Sequence, residues 1–385
     1  MPDDNKENDF VMTPWEVKGE INYSKLVEEF GTELINGYLL ERFEKHAGEL
    51  HFLLRRGVYF SHRDMNWVFD VLERGEPFYL YNGRGPSAHV HLGHYMQFFF
   101  TKWMQDKFKV PYYFQLTDDE KFLFNKDLDL DKVTGLAVEN ALDLIATGFD
   151  PDLTHIIVDT KHSGIMYPLA IQVAKKVTFS TCKAVFGFTN SNNIGQIFYT
   201  SFQAVPAFIH SVKVGKNVPC VIPLAIDQDA HFRVTRDVVG KLGYYKPAIL
   251  HSVFLPSLQQ GGKMSASDPS SALYTVDSPE TIERKIRGSF TGGRETATEQ
   301  RKLGGQPEIC PVFWHYKMVF VSDDDRLADL ERRCKSGEML CGECKGILID
   351  LATKHLTEHQ EKREKSKDKL EDFLLKTEDF KLFNF

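Results

Sequence analysis

Phe78-Tyr79-Leu80-Tyr81 is a short apolar run stopped by Asn82 and Gly83, the pattern of a buried strand entering a turn. Beyond His94 the period changes. Met96, Phe99, Phe100, Trp103 and Met104 fall at i, i+3, i+4, i+7 and i+8, which puts them on one helical face. Val110 to Thr117 then reads as a strand, Val133 to Thr147 as a helix stopped by Gly148, and Thr154 to Asp159 as a third strand. Cys220 to Ile226 and Ala248 to Leu255 are further strand runs, separated by a helix near Phe232 to Leu242 that ends at Gly243. Strands alternating with helices predict an α/β fold with a doubly wound, parallel, Rossmann-like sheet. After Pro269 the strand signals fade. Ser278 to Arg287 and the segments after Cys310 combine helical periodicity with many charges, which predicts an all-helical second domain.

Such a sheet binds ligands beyond the carboxyl ends of its strands, where loops lead into helix N-termini whose free N–H groups favour anions. His91-Leu92-Gly93-His94 stands at one such helix start, preceded by Gly83, Arg84 and Gly85. Far downstream, Lys263-Met264-Ser265-Ala266-Ser267 follows Gly261-Gly262. Either string alone is an ordinary turn or a solvated loop in many proteins. Together, in this order, they point to an ATP site. His91 and His94 supply imidazole donors to a phosphoryl group, Lys263 a flexible cation to departing pyrophosphate, and Ser265 and Ser267 further donors. No Gly-x-x-x-x-Gly-Lys-Ser/Thr string occurs, which excludes a P-loop enzyme.

A net charge of -7 provides no global basic field for nucleic acid or membrane, so any RNA contact must come from a local patch. Met1 to Asn8 lacks the blocks of a signal peptide, and no apolar run is long enough to span a bilayer; a soluble, cytoplasmic protein is expected. Six cysteines in a chain of this size predict reduced thiols rather than a disulfide scaffold. Cys341-Gly342-Glu343-Cys344 has zinc-like spacing with Cys334 nearby, but no fourth thiol or histidine pair follows at a suitable distance, so a turn opening a helix from Lys345 to Leu351 is expected, and no zinc.

The flanks of the two motifs carry a resemblance. His91 to His94 is similar to the His-Ile-Gly-His motif, and Lys263 to Ser267 to the Lys-Met-Ser-Lys-Ser motif, of class I aminoacyl-tRNA synthetases. Phe78 to Gly85 (FYLYNGRG), Gln115 to Lys121 (QLTDDEK), Phe186 to Thr189 (FGFT), Ala225 to Asp229 (AIDQD), Thr235-Arg236-Asp237 and Lys263 to Pro269 (KMSASDP) resemble the tryptophanyl-tRNA synthetases of the eukaryotic type. The resemblance runs over nearly the whole chain. It implies activation of L-tryptophan by ATP, with Mg2+ accompanying the nucleotide, and transfer of tryptophan to tRNA(Trp) by a homodimer. It further implies an N-terminal extension over residues 1–76, without a further appended helical domain. A catalytic domain over 77–275, a helical anticodon-binding domain over 276–366 and a C-terminal segment over 367–385 that packs back on the catalytic domain follow from it. Residues 2–8 are expected to be disordered.

Carried over position by position, the resemblance assigns Gly83, Arg84, Gly85, Gly93, Lys263 and Met264 to ATP. Indole has one N–H donor and no acceptor, so its pocket needs aromatic walls and a well-placed oxygen. Tyr81 and Gln115 meet that need and match positions facing the indole nitrogen. Glu120, Gln203 and Gln228 match positions that hold the substrate ammonium, and Arg294 and Glu295 match positions that contact anticodon bases. Arg284, Lys285, Arg287, Arg294, Arg301 and Lys302 form the densest basic stretch. Three departures stand out: Ala266 replaces the second motif lysine, Pro86 to His91 is one residue short, and Glu295 stands where aspartate is usual. A nucleotidylyltransferase also uses His-x-Gly-His, but it leaves the second motif and the helical domain unexplained. A tyrosine-specific relative is not excluded by pocket chemistry alone, nor is a second, non-catalytic RNA-binding or signalling role.

Overall fold

The structure, a computed structural model, describes residues 11–12, 17–18, 23–261, 264 and 269–380. A seven-stranded sheet organises it. In chain order the strands are β1 (Glu33–Leu34), β2 (Tyr59–Arg63), β3 (Tyr79–Arg84), β4 (Tyr112–Leu116), β5 (Thr154–Val158), β6 (Cys220–Ala225) and β7 (Ala248–Ser252). Their spatial order is β1-β2-β7-β6-β3-β4-β5.

The period of two in these strands sorts side chains into two cores, one on each face of the sheet. Phe78, Leu80, Tyr112, Phe114, Ile156, Val221 and Leu250 enter one core. Tyr79, Tyr81, Tyr113, Ile157, Ile222 and Ile249 enter the other. Burial on both faces explains why the strands read as continuous apolar runs rather than alternating ones.

The five strands β3 to β7 are mutually parallel where they pair, as predicted. β1 and β2 are not. They add an antiparallel edge, β1 on β2 and β2 on β7, so the sheet is mixed. Tyr59-Phe60-Ser61-His62-Arg63 is too polar to announce a buried strand, yet Ser61 and His62 are both buried. The segment before residue 77 therefore completes the sheet. A buried ion pair locks it there: Arg63 donates from Nε and Nη2 to the two carboxylate oxygens of Asp229, both at 3.0 Å, and His251 Nε2 lies 2.9 Å from the same group. Burial alone would raise the Asp229 carboxyl, but hydrogen bonds from His251 and Arg63 outweigh it and hold the group down at about 2.

Six helices position the site: α1 (Leu92–Phe108), α2 (Asp118–Phe124), α3 (Leu130–Ala146), α4 (Asp229–Lys241), α5 (Pro279–Arg287) and α6 (Cys341–Lys365). Ser278 caps α5 by accepting from the Thr281 amide. α6 spans 25 residues, far beyond the expected Lys345 to Leu351, and Cys341 to Cys344 form its first turn rather than a preceding loop. It packs along α5 and α3. At the far edge of the sheet the C-terminal segment returns: Leu375 donates its amide to the Ile156 carbonyl at 2.9 Å, covering β5. The expectation for residues 2–8, and the part of the expected C-terminal segment beyond residue 380, fall outside the described residues. Among the described residues no helix is long and apolar enough to cross a membrane.

Arg63→Ala takes two hydrogen bonds from the buried Asp229 carboxylate, leaves it on His251 and Arg233, and should cost about 1.5–3 kcal/mol in denaturant unfolding. Because the Asp229 carboxyl is depressed in the fold, its contribution is present above the unfolded value of about 4 and is lost as pH falls through about 2. The variant should show a weaker loss of stability across that acid window than the parent.

Candidate functional site

A cavity of about 340 Å3 opens at the carboxyl ends of β3 and β6, which are neighbours in the sheet but far apart in the chain. Crevices at such points, where the strand order reverses, are where open α/β sheets bind ligands.

One end of the cavity is built by the start of α1. His91 is the N-cap residue, with extended backbone, and its ring packs on that of His94 with centroids 3.8 Å apart. Its side chain makes no capping hydrogen bond, so position rather than capping explains it. Gly93 makes room for this pair, since a Cβ there would lie 3.1 Å from the His91 ring. The residues after the second motif run alongside. Leu92 donates its amide to the Leu273 carbonyl and Thr275 to that of Val90, both at 2.9 Å. The Leu258 amide donates to the Ser271 carbonyl at 2.8 Å, joining described residues on either side of the second motif. Met264 is buried and lines the cavity. Lys263, Ser265 and Ser267 lie outside the described residues.

The loop before His91 is held from within. Arg84 donates from its guanidinium to the carbonyls of Ala88 at 3.1 Å and His89 at 2.8 Å. Burial lowers this guanidinium to about 10, opposed by the charge of Asp143. Arg84 is thus engaged in the cavity wall, and the His89 side chain is exposed. Gly83 and Gly85 line the cavity as well. A Cβ on Gly85 would fall 1.8 Å from Lys121 Cε, so the glycine lets the Lys121 side chain cross the loop and reach Glu120 Oε1 at 2.8 Å.

At the opposite end Tyr81 and Gln115 are fully buried. The Tyr81 hydroxyl donates to Gln115 Oε1 at 2.6 Å, and Gln203 donates from Nε2 to the Tyr81 hydroxyl at 3.0 Å. Gln203 is in turn bonded to the Tyr199 hydroxyl. Tyr199, Gln203, Glu120 and Gln228 all line the cavity, whereas Tyr81 and Gln115 lie behind Gln203. Asp118-Asp119-Glu120, which reads as a solvated helix cap, is largely sequestered: Asp118 and Glu120 are buried. Burial would raise the Glu120 carboxyl, but Lys121 beside it and the hydrogen bonds from Lys121 and Thr117 bring it below its ordinary value. His231, on α4, faces the same cavity, and burial lowers it to about 4 despite the nearby Glu120 charge, so its imidazole is neutral.

The sequence reading missed Asp159, Tyr199 and His231. Asp159 carried a usable signal, since it ends a strand run on the ligand-binding side of the sheet. Tyr199 and His231 sit among other apolar and aromatic helix residues, and nothing in the sequence sets them apart.

Arg294 and Glu295 do not line this cavity and are exposed. The Arg294 side chain donates to the Gly304 carbonyl at 2.9 Å, shaping its own loop. Lys285 is not part of a free basic surface. Its ammonium lies 2.7 Å from Asp277 and 2.9 Å from the Ala272 carbonyl, bracing the segment that pairs with Val90. Cys334, Cys341 and Cys344 line one small apolar cavity together with Cys310, a thiol upstream of the stretch searched for a fourth ligand. Burial raises the Cys334 thiol to about 11 and the Cys344 thiol to about 12. Among the described residues no group of three or more His, Cys, Asp or Glu is placed to hold a metal ion.

The family model for "tRNA synthetases class I (W and Y)" matches residues 73–357. The tryptophan--tRNA ligase of Pyrobaculum calidifontis is 49% identical over 369 residues, covering 96% of this chain and 98% of that protein. The tryptophanyl-tRNA synthetase of Plasmodium falciparum superposes with a TM-score of 0.86 at 40% identity, over 92% of this chain and 97% of that one. The Encephalitozoon cuniculi tryptophanyl-tRNA synthetase bound to tryptophan gives a TM-score of 0.85 at 35% identity, over 94% and 99% of the two chains.

Arg84→Ala removes the donors that hold the Ala88 and His89 carbonyls. Amide hydrogen exchange across residues 85–90 should then speed by about tenfold, the equivalent of one lost hydrogen bond. Exchange in β4 should be unchanged.

Proposed function

The chain belongs to the class I tRNA synthetases of the W and Y type, and from that membership we propose how its cavity serves tryptophan activation. The reaction is ATP-dependent formation of tryptophanyl-adenylate followed by transfer of tryptophan to tRNA(Trp). In the first step a carboxylate oxygen of tryptophan attacks the α-phosphorus of ATP, and the bond to the bridging oxygen breaks to release pyrophosphate. In the second, a ribose hydroxyl of the terminal adenosine of tRNA attacks the activated carbonyl and AMP leaves. Neither step needs a covalent enzyme intermediate, so catalysis rests on positioning and on donors aimed at developing charge.

The observation that carries this reading is the polarity of one cavity: paired imidazoles at a helix start at one end, a carboxylate beside a tyrosine–glutamine pair at the other. His91 and His94 serve the phosphates, with Gly83, Gly85, Gly93 and Met264 shaping the nucleotide's seat and Arg84 holding the loop over it. Lys263, Ser265 and Ser267 serve the leaving pyrophosphate. ATP enters as its magnesium complex. Glu120, ionised and buried, receives the substrate ammonium with Gln203 and Gln228, while Tyr81 and Gln115 receive the indole N–H. That contact requires Gln203 to swing away from Tyr81, where it now donates.

The remaining assignments belong to the same proposal. Residues 77–275 carry the chemistry, completed by the extension over 1–76, and residues 276–366 receive the anticodon through Arg294 and Glu295. The enzyme acts as a homodimer in the cytoplasm.

The direct test is amino-acid-dependent ATP–pyrophosphate exchange. Tryptophan alone should support it, and His94→Ala and Lys263→Ala should each lower kcat by about 10²–10³. Equal or faster exchange with tyrosine would overturn the assignment. Arg294→Ala should slow charging of tRNA(Trp) by about tenfold or more, the loss of roughly one base contact, and leave exchange nearly intact; loss of both would indicate a folding role.

A further inference from the structure

Gln115 is held at both ends of its amide. Its Nε2 donates to both carboxyl oxygens of Asp159 at 2.9 Å each, while its Oε1 accepts from the Tyr81 hydroxyl at 2.6 Å. Asp159 follows the last residue of β5, and its own amide is fixed to the Leu116 carbonyl at 3.2 Å. Gln115 and Asp159 are both essentially without solvent access, so neither can satisfy itself with water.

The amide has two faces of opposite character, and only one suits an indole. A ring N–H needs an acceptor; a flipped amide would set donor against donor in a dry pocket. We propose that Asp159 is a specificity-determining positioning residue, which fixes the Gln115 amide so that acceptors alone face the substrate's ring N–H. This rests on the reading of Tyr81 and Gln115 as the indole end of the site.

A second acid keeps Asp159 in that role. Burial, then the charge of Asp119, raises the Asp159 carboxyl, and burial raises Asp119 to about 7. The two carboxyls share a dry site, where a second negative charge is disfavoured. A carboxyl oxygen of Asp159 facing Gln115 Nε2 accepts in either protonation state. An asparagine at 159 lacks this property. Its own N–H₂ can donate to the glutamine oxygen, and the Gln115 amide is then free to turn its donor toward the substrate.

The test is ATP–pyrophosphate exchange by the full chain with two substrates, tryptophan and the amino acid whose ring is benzothiophene, in which sulfur replaces the indole N–H. With Asp159→Asn, KM for tryptophan should rise about 10- to 100-fold, the cost of one unsatisfied buried hydrogen-bonding group. KM for the sulfur analogue should change less than about twofold, and kcat little for either. In a Gln115→Ala background the same substitution should leave the preference between the two substrates unchanged, because the group it positions is gone. Equal rises in KM for both substrates, or an unaltered preference in the single variant, would overturn the proposal and reduce Asp159 to a structural role. Should Asp159→Asn fail to fold, Asp159→Ser provides the same comparison. Failure of the parent protein to activate tryptophan at all is a separate outcome: it overturns the function, and with it the premise of the positioning.

Discussion

Two backbone hydrogen bonds, from Leu92 to Leu273 and from Thr275 to Val90, bring together segments that the chain separates by most of the sheet. The His91–His94 end of the cavity depends on this clasp. It sets the residues that follow the second motif beside the helix start that carries the first, and a separate bond joins Leu258 to Ser271 across that motif. The clasp is braced from the helical side. Lys285 on α5 grips Asp277 and the Ala272 carbonyl, and Gln360 on α6 donates to the carbonyls of Thr275 and Asp277.

The same long helix reaches the first motif directly. His355 on α6 lies 3.1 Å from the Tyr95 hydroxyl, one residue beyond His94, and His359 lies 2.9 Å from buried Asp143 on α3. The helical region and the α/β body thus share one apolar core and a set of buried polar contacts. These contacts tie α6 both to α3 and to the first turn of α1. This gives a contiguous set of contacts between the helical region and the His91–His94 end of the cavity.

Much of the fold was legible from Phe78 onward because strands buried on both faces must be continuously apolar, and the helices between them must show a 3.6-residue period. β2 was not, since its buried Ser61 and His62 and its part-buried Arg63 have partners such as Asp229 and His251 that the sequence places far away. The site was legible as motifs but not as geometry. Nothing in the order of residues says that Arg84 is spent on two loop carbonyls, that Lys285 braces a clasp, or that Gln203 lies between Tyr81 and the cavity. Cys310 shows the same limit, joining Cys334, Cys341 and Cys344 only through the packing of the helical region. Asp159 marks the boundary most clearly: its position at a strand end was visible, its hold on Gln115 was not.

The central claim is that one cavity reads indole at its Tyr81–Gln115 end and phosphate at its His91–His94 end. An experimental structure of the chain with a non-hydrolysable tryptophanyl-adenylate tests it most directly. The account predicts the indole nitrogen about 3 Å from Gln115 Oε1 or the Tyr81 hydroxyl, within hydrogen-bond range. It also predicts the ammonium on Glu120, Gln203 turned away from Tyr81, and the phosphate beside the two imidazoles. An adenylate bound with its ring elsewhere, Tyr81 and Gln115 still sealed behind Gln203, would contradict it.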